Sequence, residues 1–505
     1  MTSVFAEAGG RIAAVDASAV LVDACAYYRA FYRAASGAKR SILLAGWQFD
    51  TNVALLRGED ARAAELPVEL LPFLSALCER TPELRIFVLA WDYSIAYAFE
   101  REWMQELRFA VSSPDRVRFE FDTHPNPTGS HHQKFAVIDG AVAFAGGMDI
   151  CDERWDSRDH APDHPLRRNA SGEHCRPNHE VQSVVTGEAA AVLADVFRER
   201  WLAACGEVLE LPVPNAALAA QFAQDELGER AELPVRAARV GVLRTNVASD
   251  GSVDRQILRA LQRAFAQAER FVYIETQYFT SRSIAQALLS RFYDDEKPKL
   301  ELAIVLPRVA DSSKEAFAIG DTQRMVLGAL EAAARATGQE LRFLCSVAND
   351  ADEDGGATFI HSKVVIVDDR LLCVGSANLT ERSMGYDTEL SLFWESAGEP
   401  EVERDIRRVR SSLLAEHAHR APNELEAATS LVAVIDGWLG GSGSRLRACH
   451  FEPTPPNVVK SMLFDPGGPH EVVPPEPMAV EDRQRFTRGG GQALRGLLRR
   501  SSTDG

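Results

Sequence analysis

Lysine is the residue this chain most nearly does without. Of its 55 basic residues only seven are lysine: Lys39, Lys134, Lys297, Lys299, Lys314, Lys363 and Lys460. A lysine that recurs in matching surroundings is therefore a choice over arginine. Long apolar runs are missing too, and with no stretch of about eighteen such residues no segment is expected to span a membrane. The opening MTSVFAEAGGRIAAVDASAV has no basic segment leading into an apolar one, so no secretory signal is expected and the cytoplasm is the expected compartment. The eight cysteines are scattered, without CxxC pairs and often within apolar runs, which predicts reduced, mostly buried thiols. Positive charge is also scarce. A net charge of −18 and a pI near 5.2 oppose binding to a phosphate backbone, and no nucleic-acid partner is expected.

The one basic concentration is RQRFTRGGGQALRGLLRR, with six arginines between Arg483 and Arg500. Two readings stay open for it. One is a solvated, disordered tail. The other is a short element adsorbing to anionic lipid, because Leu494, Leu497 and Leu498 fall at helical spacing among the arginines.

At 505 residues, with 46% apolar and 25% charged, the chain has the composition of a soluble protein of two or three domains. Its organisation is a duplication. HHQKFAVIDGAVAFAGGMDICDERWD (131–156) and HSKVVIVDDRLLCVGSANLTERSM (361–384) both read H-x-K-x4-D followed by a Gly-containing turn. The flanks repeat as well. AKRSILLAGWQFD begins 94 residues before His132 and AERFVYIETQYFT begins 93 before His361. Between those anchors each half offers an amphipathic helix (ELLPFLSALCER; SIAQALLSRFYD) and two apolar strands (LRIFVLAW and VRFEFD; LELAIVLP and LRFLCS). Beyond the motifs, EVQSVVTG and ELSLFWES predict strands, each followed by a helix.

The expected fold is therefore α/β: two pseudo-repeated α/β/α sandwich halves, each with a central mixed sheet flanked by helices. The first half is placed at residues 1–205, a linker at 206–240, the second half at 241–420 and a Pro/Gly-rich extension with a basic tail at 421–505.

Residues i and i+2 of a strand face the same way, so His132 lies beside Lys134 and His361 beside Lys363. Asp139-Gly140 signals a hairpin that returns the chain as AVAFAGG. Imidazole is a nucleophile and an acid–base group near neutral pH. An ammonium suits a phosphoryl oxygen, and the Ser376-Ala377-Asn378 turn adds neutral donors. Two facing halves would supply one histidine to attack and one to protonate the leaving group.

On these motifs the chain resembles the phospholipase D superfamily over roughly residues 10–420, and YIETQYFTS (273–281) is similar to a segment typical of its two-motif phospholipases. The resemblance implies a phosphohistidine intermediate without metal or other cofactor, with His132 as nucleophile and His361 as acid–base partner. It implies that Lys134, Lys363, Ser376 and Asn378 bind the phosphate and that Asp139 and Asp368 support each motif locally. Glu180 and Glu389, which open equivalent strands, are the expected orienters of the histidines. Asp149 stands where the second motif has Asn378, a departure that matches first motifs of the eukaryotic-type branch and questions phosphate binding there. The implied substrate is a phospholipid at a membrane surface, with one monomer sufficient for a complete site.

His160, His164, His174, Cys175 and His179 follow no zinc-ligand spacing and predict a polar loop shaping the substrate entrance. DADEDGG (350–356) begins like a calcium loop but lacks its glutamate, and predicts an acidic surface loop. Two other functions of the same superfamily are weighed against a phospholipase: a nuclease would need a basic, aromatic-rich groove, and a cardiolipin-synthase-type transferase would use the same site with an alcohol as acceptor.

Overall fold

A computed structural model of the chain describes residues 3–92, 108–109, 114–227, 232–308, 313–347 and 356–451. The basic tail and, apart from Gly356, the acidic segment 350–356 lie outside the described residues.

The alternating segments build two large sheets with the same internal plan. In the first, the order is Leu233–Pro234, Ser18–Val22, Val181–Thr186, Val142–Gly146, Phe135–Ile138, Ser41–Gly46, Arg85–Trp91 and Val117–Asp122. In the second it is Arg11–Ala14, Arg239–Val247, Glu389–Glu395, Leu371–Gly375, Val364–Val367, Phe271–Glu275, Glu301–Val305, Glu340–Ser346 and Leu446–Cys449, with Val253–Arg255 added beside Arg239–Val247. In both, the motif strand is antiparallel to its neighbours, while the two strands beyond Ser41–Gly46 or Phe271–Glu275 run parallel to them. Parallel strands need crossovers, and the helices Leu70–Arg80 and Arg282–Phe292 provide the first of them in each half. Ser41–Gly46 and Phe271–Glu275, beside the motif strands, are buried along their whole length, and Arg85–Trp91 and Glu301–Val305 are buried after their first residue, as expected of sheets covered on both faces.

The hairpins follow from local chemistry. Asp139 and Gly140 have φ of 51° and 64°, and Asp368 and Asp369 have φ of 56° and 58°. Left-handed backbone at both central positions is the twist-matched two-residue turn.

A shared core joins the halves. Val137, Ala143 and Val185 of the first sheet lie in one apolar cluster with Tyr273, Ile366 and Leu392 of the second, and the helices Glu188–Cys205 and Pro400–Ala418 add Phe197, Trp201, Ile406 and Leu413. Separate clusters fill the outer faces of each half.

The boundaries differ from the expected ones in three places. Arg11–Ala14 crosses over to pair with Arg239–Val247, so the start of the first half belongs to the second sheet. The expected linker is structured: its helix Ala216–Glu226 puts Phe222 against Phe144, and Leu233–Pro234 pairs with Ser18–Val22. The extension folds as far as Cys449, whose strand caps the second sheet. Among the described residues all eight cysteines are free thiols, and no helix is long and apolar enough to cross a membrane.

Candidate active site

The two motifs meet where the halves abut. The backbone N–H of His132 donates to the carbonyl of Thr388 at 2.9 Å, and that of His361 donates to the carbonyl of His179 at 2.9 Å. Phe359–Ile360 runs parallel to Asn178–His179, and His131 bridges to Thr388 in the same sense. Each histidine is thus laid beside the residue that precedes the strand-opening glutamate of the opposite half.

The side chains follow this exchange. His132 Nδ1 lies 3.0 Å from both carboxylate oxygens of Glu389, and His361 Nδ1 lies 2.6 Å from Glu180 Oε1. Both glutamates are fully buried, whereas the His132 and His361 side chains keep 18% and 8% of their exposure. A buried carboxylate accepting from Nδ1 fixes the tautomer and leaves Nε2 with the lone pair. The crossing was not legible from sequence, where each glutamate could equally have served its own half.

The lysines are also symmetric. Lys134 Nζ donates to the carbonyl of His132 at 3.4 Å, and Lys363 Nζ donates to that of His361. Their other partners differ. Lys134 pairs with Asp149 Oδ2 at 3.0 Å, and Asp149 is itself tied by Oδ1 to the Trp47 amide at 2.8 Å. Among the described residues Lys363 has the neutral Gln277 Oε1, at 3.5 Å, as its side-chain hydrogen-bond partner. Asp149 therefore neutralises Lys134 and offers no donor, which answers the question its departure raised.

Asn378 is buried, and its Oδ1 has no hydrogen-bond partner among the described residues. The Ser376 hydroxyl donates to Glu389 Oε2, so its single proton is engaged by the carboxylate behind His132. In the first half Gly147 takes this position, and Glu180 Oε2 has no hydrogen-bond partner among the described residues. A Cβ on Gly147 would come within 3.2 Å of Glu180 Oε2 and of Lys363 Cδ, so the halves close over a bare backbone there.

Asp139 and Asp368 stand at the far ends of the motif strands, away from the histidines. Asp139 accepts from the amides of Lys39, Arg40 and Ser41 at 2.8–2.9 Å, and Asp368 from those of Glu269, Arg270 and Phe271 at 2.8–2.9 Å. They pin each hairpin to the start of the neighbouring strand. That is local support, and it places neither carboxylate in the chemistry.

Burial and three cations, Lys363, Arg154 and Lys134, dominate the electrostatics around His361. Burial, and then Lys363, Arg154 and Lys134, hold His361 well below the ordinary imidazole range, so it is neutral at pH 7. Burial brings Lys363 down to about 7 against the pull of Glu180, with Lys134 and Arg154 adding to the drop. Burial raises Glu180, opposed by Lys363 and Arg154. Arg154 acts on all three and was missed in the sequence, where it has no repeat partner to mark it. Gln277 was missed as well.

The expected polar entrance loop needs correction. His164 and Cys175 are half-buried and His174 is exposed, but His160 and His179 are buried to 1% or less among carboxylates. Arg167, fully buried, ties the loop down through Asp156 at 2.9 Å and the carbonyls of Ala161, Pro162 and Cys175.

With that geometry in view, the comparisons are consistent. The family model described as "Phospholipase D" matches residues 34–291, and one described as "Cardiolipin synthase, PLD-like domain" matches 261–409. The chain belongs to the phospholipase D superfamily. Among similar proteins, phospholipase D alpha 1 of Vigna unguiculata is 23% identical over 72% of this chain and 59% of its own length. Phospholipase D alpha 3 of Arabidopsis thaliana is 23% identical over 70% and 58%. The chain thus spans about three-fifths of these relatives. Of solved structures, the phosphatidylserine synthase of Haemophilus influenzae Rd KW20 is similar, with a TM-score of 0.51, 16% identity, 85% of this chain and 96% of that one covered. The fold is accordingly phospholipase D-like.

Proposed function

We propose that the chain is a phosphodiesterase of the phospholipase D type that cleaves glycerophospholipid headgroups through a phosphohistidine. The observation that carries this reading is the crossed pair: each histidine is held by the buried glutamate of the other half and stands beside a lysine, and Lys363 has no ion-pair partner among the described residues. One chain supplies both halves, so one monomer completes the site.

In this reading the phosphodiester enters between the histidines and meets Lys363, Lys134 and Asn378. His132 Nε2 attacks phosphorus, and the headgroup oxygen leaves with a proton from His361. The now neutral His361 then draws a proton from water, which releases phosphatidic acid and frees His132. His361 is unprotonated in the ligand-free protein, partly because three cations surround it. Substrate anion offsets those cations and lets it take up the proton it must give. The same depression favours a second assignment, with His361 attacking and His132 as acid; the site of the covalent adduct separates the two.

The intermediate is open to any acceptor that reaches it. Transfer of the phosphatidyl group to an alcohol is therefore the alternative outcome, and the cardiolipin-synthase description of the second half's family supports keeping it. The test is headgroup release from a panel of detergent-dispersed phospholipids with a primary alcohol added. Phosphatidic acid together with the phosphatidyl alcohol is expected. Turnover of nucleic acid with none of lipid would overturn the lipid reading.

A further inference from the structure

Behind the glutamate that orients His361 lies a second buried set of side chains which the proposed reaction does not use. Asp23 begins the helix Asp23–Ser36, His160 and His179 come from the loop after the first motif, and Glu416 reaches across from the helix Pro400–Ala418 of the second half. Glu416 Oε1 is 3.0 Å from His160 Nε2 and 2.8 Å from His179 Nδ1. Asp23 Oδ2 is 3.6 Å from His160 Nε2, and Asp23 Oδ1 is 3.5 Å from His179 Nδ1. One donor atom from each residue falls within 4.8 Å of all the others.

Three features separate this cluster from an ordinary ion-pair network. First, Asp23 is fully buried and its Oδ2, facing His160, accepts no hydrogen bond among the described residues. An orphaned buried carboxylate oxygen is costly unless something cationic meets it. Second, each imidazole is backed on its other nitrogen by a carboxylate: His160 Nδ1 by Asp156 at 2.9 Å and His179 Nε2 by Glu275 at 3.0 Å. This is the outer arrangement of metal-bound histidine, in which the rear N–H is anchored; the forward nitrogens here face Glu416 Oε1 and would exchange that contact for the metal. Third, the spacing fits. Four ligands at about 2.0–2.2 Å in a tetrahedron lie about 3.3–3.6 Å apart. The imidazole–carboxylate separations of 2.8–3.6 Å bracket that edge.

The geometry points to a structural zinc site formed by His160, His179, Asp23 and Glu416. Two imidazoles and two carboxylates select zinc over calcium or magnesium, which take oxygen ligands, and four protein ligands with no access to solvent describe a closed, non-catalytic site. Arg158 holds the other oxygen of Glu416 at 2.6 Å, leaving Oε1 for the metal. The site would fasten both halves together immediately behind the catalytic face. His179 precedes Glu180 and accepts the His361 amide, and the Asp23 amide donates to the Glu180 carbonyl at 2.9 Å.

The experiment uses the full chain, expressed with zinc present, freed of loose metal by a weak chelator and analysed by elemental mass spectrometry. About one zinc per chain is expected. His160→Gln should lose it, while a His164→Ala/His174→Ala double variant, altered in the more exposed part of the same loop, should keep it. Should His160→Gln fail to fold, X-ray absorption on the wild-type protein takes its place, with two imidazole nitrogens, two oxygens and no sulfur expected around zinc. Stripping the metal with a strong chelator and restoring zinc should lower and then recover the thermal midpoint. Zinc below a tenth of an equivalent, zinc lost from the double variant but kept in His160→Gln, or a sulfur-containing shell would each overturn the assignment.

Discussion

His361 Nδ1 lies 2.6 Å from Glu180 Oε1, although the two residues are 181 positions apart and belong to different halves of the duplicated fold. His132 and Glu389 repeat the relationship in the opposite direction. Neither half can therefore set the tautomer of its own histidine. This explains why the glutamates lie at the mouths of the strands where the halves touch.

Removal of either histidine should abolish turnover. His132→Ala and His361→Ala are each expected to lose about 10³-fold or more in kcat, as groups that act as a unit do. Near-normal initial rates on clean substrate in either variant would contradict a two-histidine site.

Glu389→Gln and Glu180→Gln test the crossing. An amide can present N–H to Nδ1 and so stabilise the wrong tautomer, with an expected loss of about 10²- to 10⁴-fold in kcat. The lysines are untouched, so the dissociation constant for inorganic phosphate should move less than about threefold. Equal loss of phosphate binding would mean that the glutamates hold the pocket together and do not orient the imidazoles.

Anion binding should take up a proton. Lys363 sits at about 7 in the ligand-free protein, and a bound phosphate favours its charged form, raising it. A group whose pKa rises on binding gains protons on binding wherever the free form is partly deprotonated, here from about pH 7 upward, and affinity falls as pH rises through that range. Calorimetry in buffers of different ionisation enthalpy at pH 8 should show this uptake, and Lys363→Met should remove it.

Asp149→Asn should leave buried Lys134 without its carboxylate. Loss of one partner of a buried pair is destabilising. The variant is expected to melt below wild type without phosphate and to gain a larger rise in midpoint from added phosphate. An unchanged midpoint would show that Lys134 does not depend on Asp149.

Asp139→Ala separates support from chemistry. Three backbone amides lose a charged acceptor, costing about 3 kcal/mol in unfolding experiments. Activity per folded molecule below saturating denaturant should stay within a few-fold of wild type. A loss comparable to that of His132→Ala would put Asp139 back in the reaction.

What the sequence made legible was whatever the duplication wrote twice. His132, Lys134, His361, Lys363 and the glutamates that open equivalent strands stand out because each has a counterpart, and the strands VRFEFD and ELSLFWE fall where alternation and burial place them. Features present once were opaque. Arg154 reaches the site from a loop without a repeat, and the pairing of Asp149 with Lys134 depends on a side-chain direction that the sequence does not carry. For Ser376, a Gly-Ser turn looks the same whether its hydroxyl faces a ligand or Glu389. His160 and His179 read as a polar entrance loop because Asp23 and Glu416, the carboxylates they share, are more than 130 positions away along the chain. The crossover of Arg11–Ala14 to the second sheet is equally non-local, since edge pairing leaves no periodic trace.

The most direct test of the covalent account is rapid mixing with substrate, quenching in alkaline denaturant to preserve a phosphorus–nitrogen bond, and mass spectrometry of the peptides containing residues 131–134 and 361–363. The account predicts a phosphatidyl adduct on His132 that forms in wild type and is absent from His132→Ala. An adduct on His361 instead would exchange the two roles. Turnover with no adduct on either histidine, accompanied by inversion at phosphorus, would contradict the phosphohistidine mechanism itself.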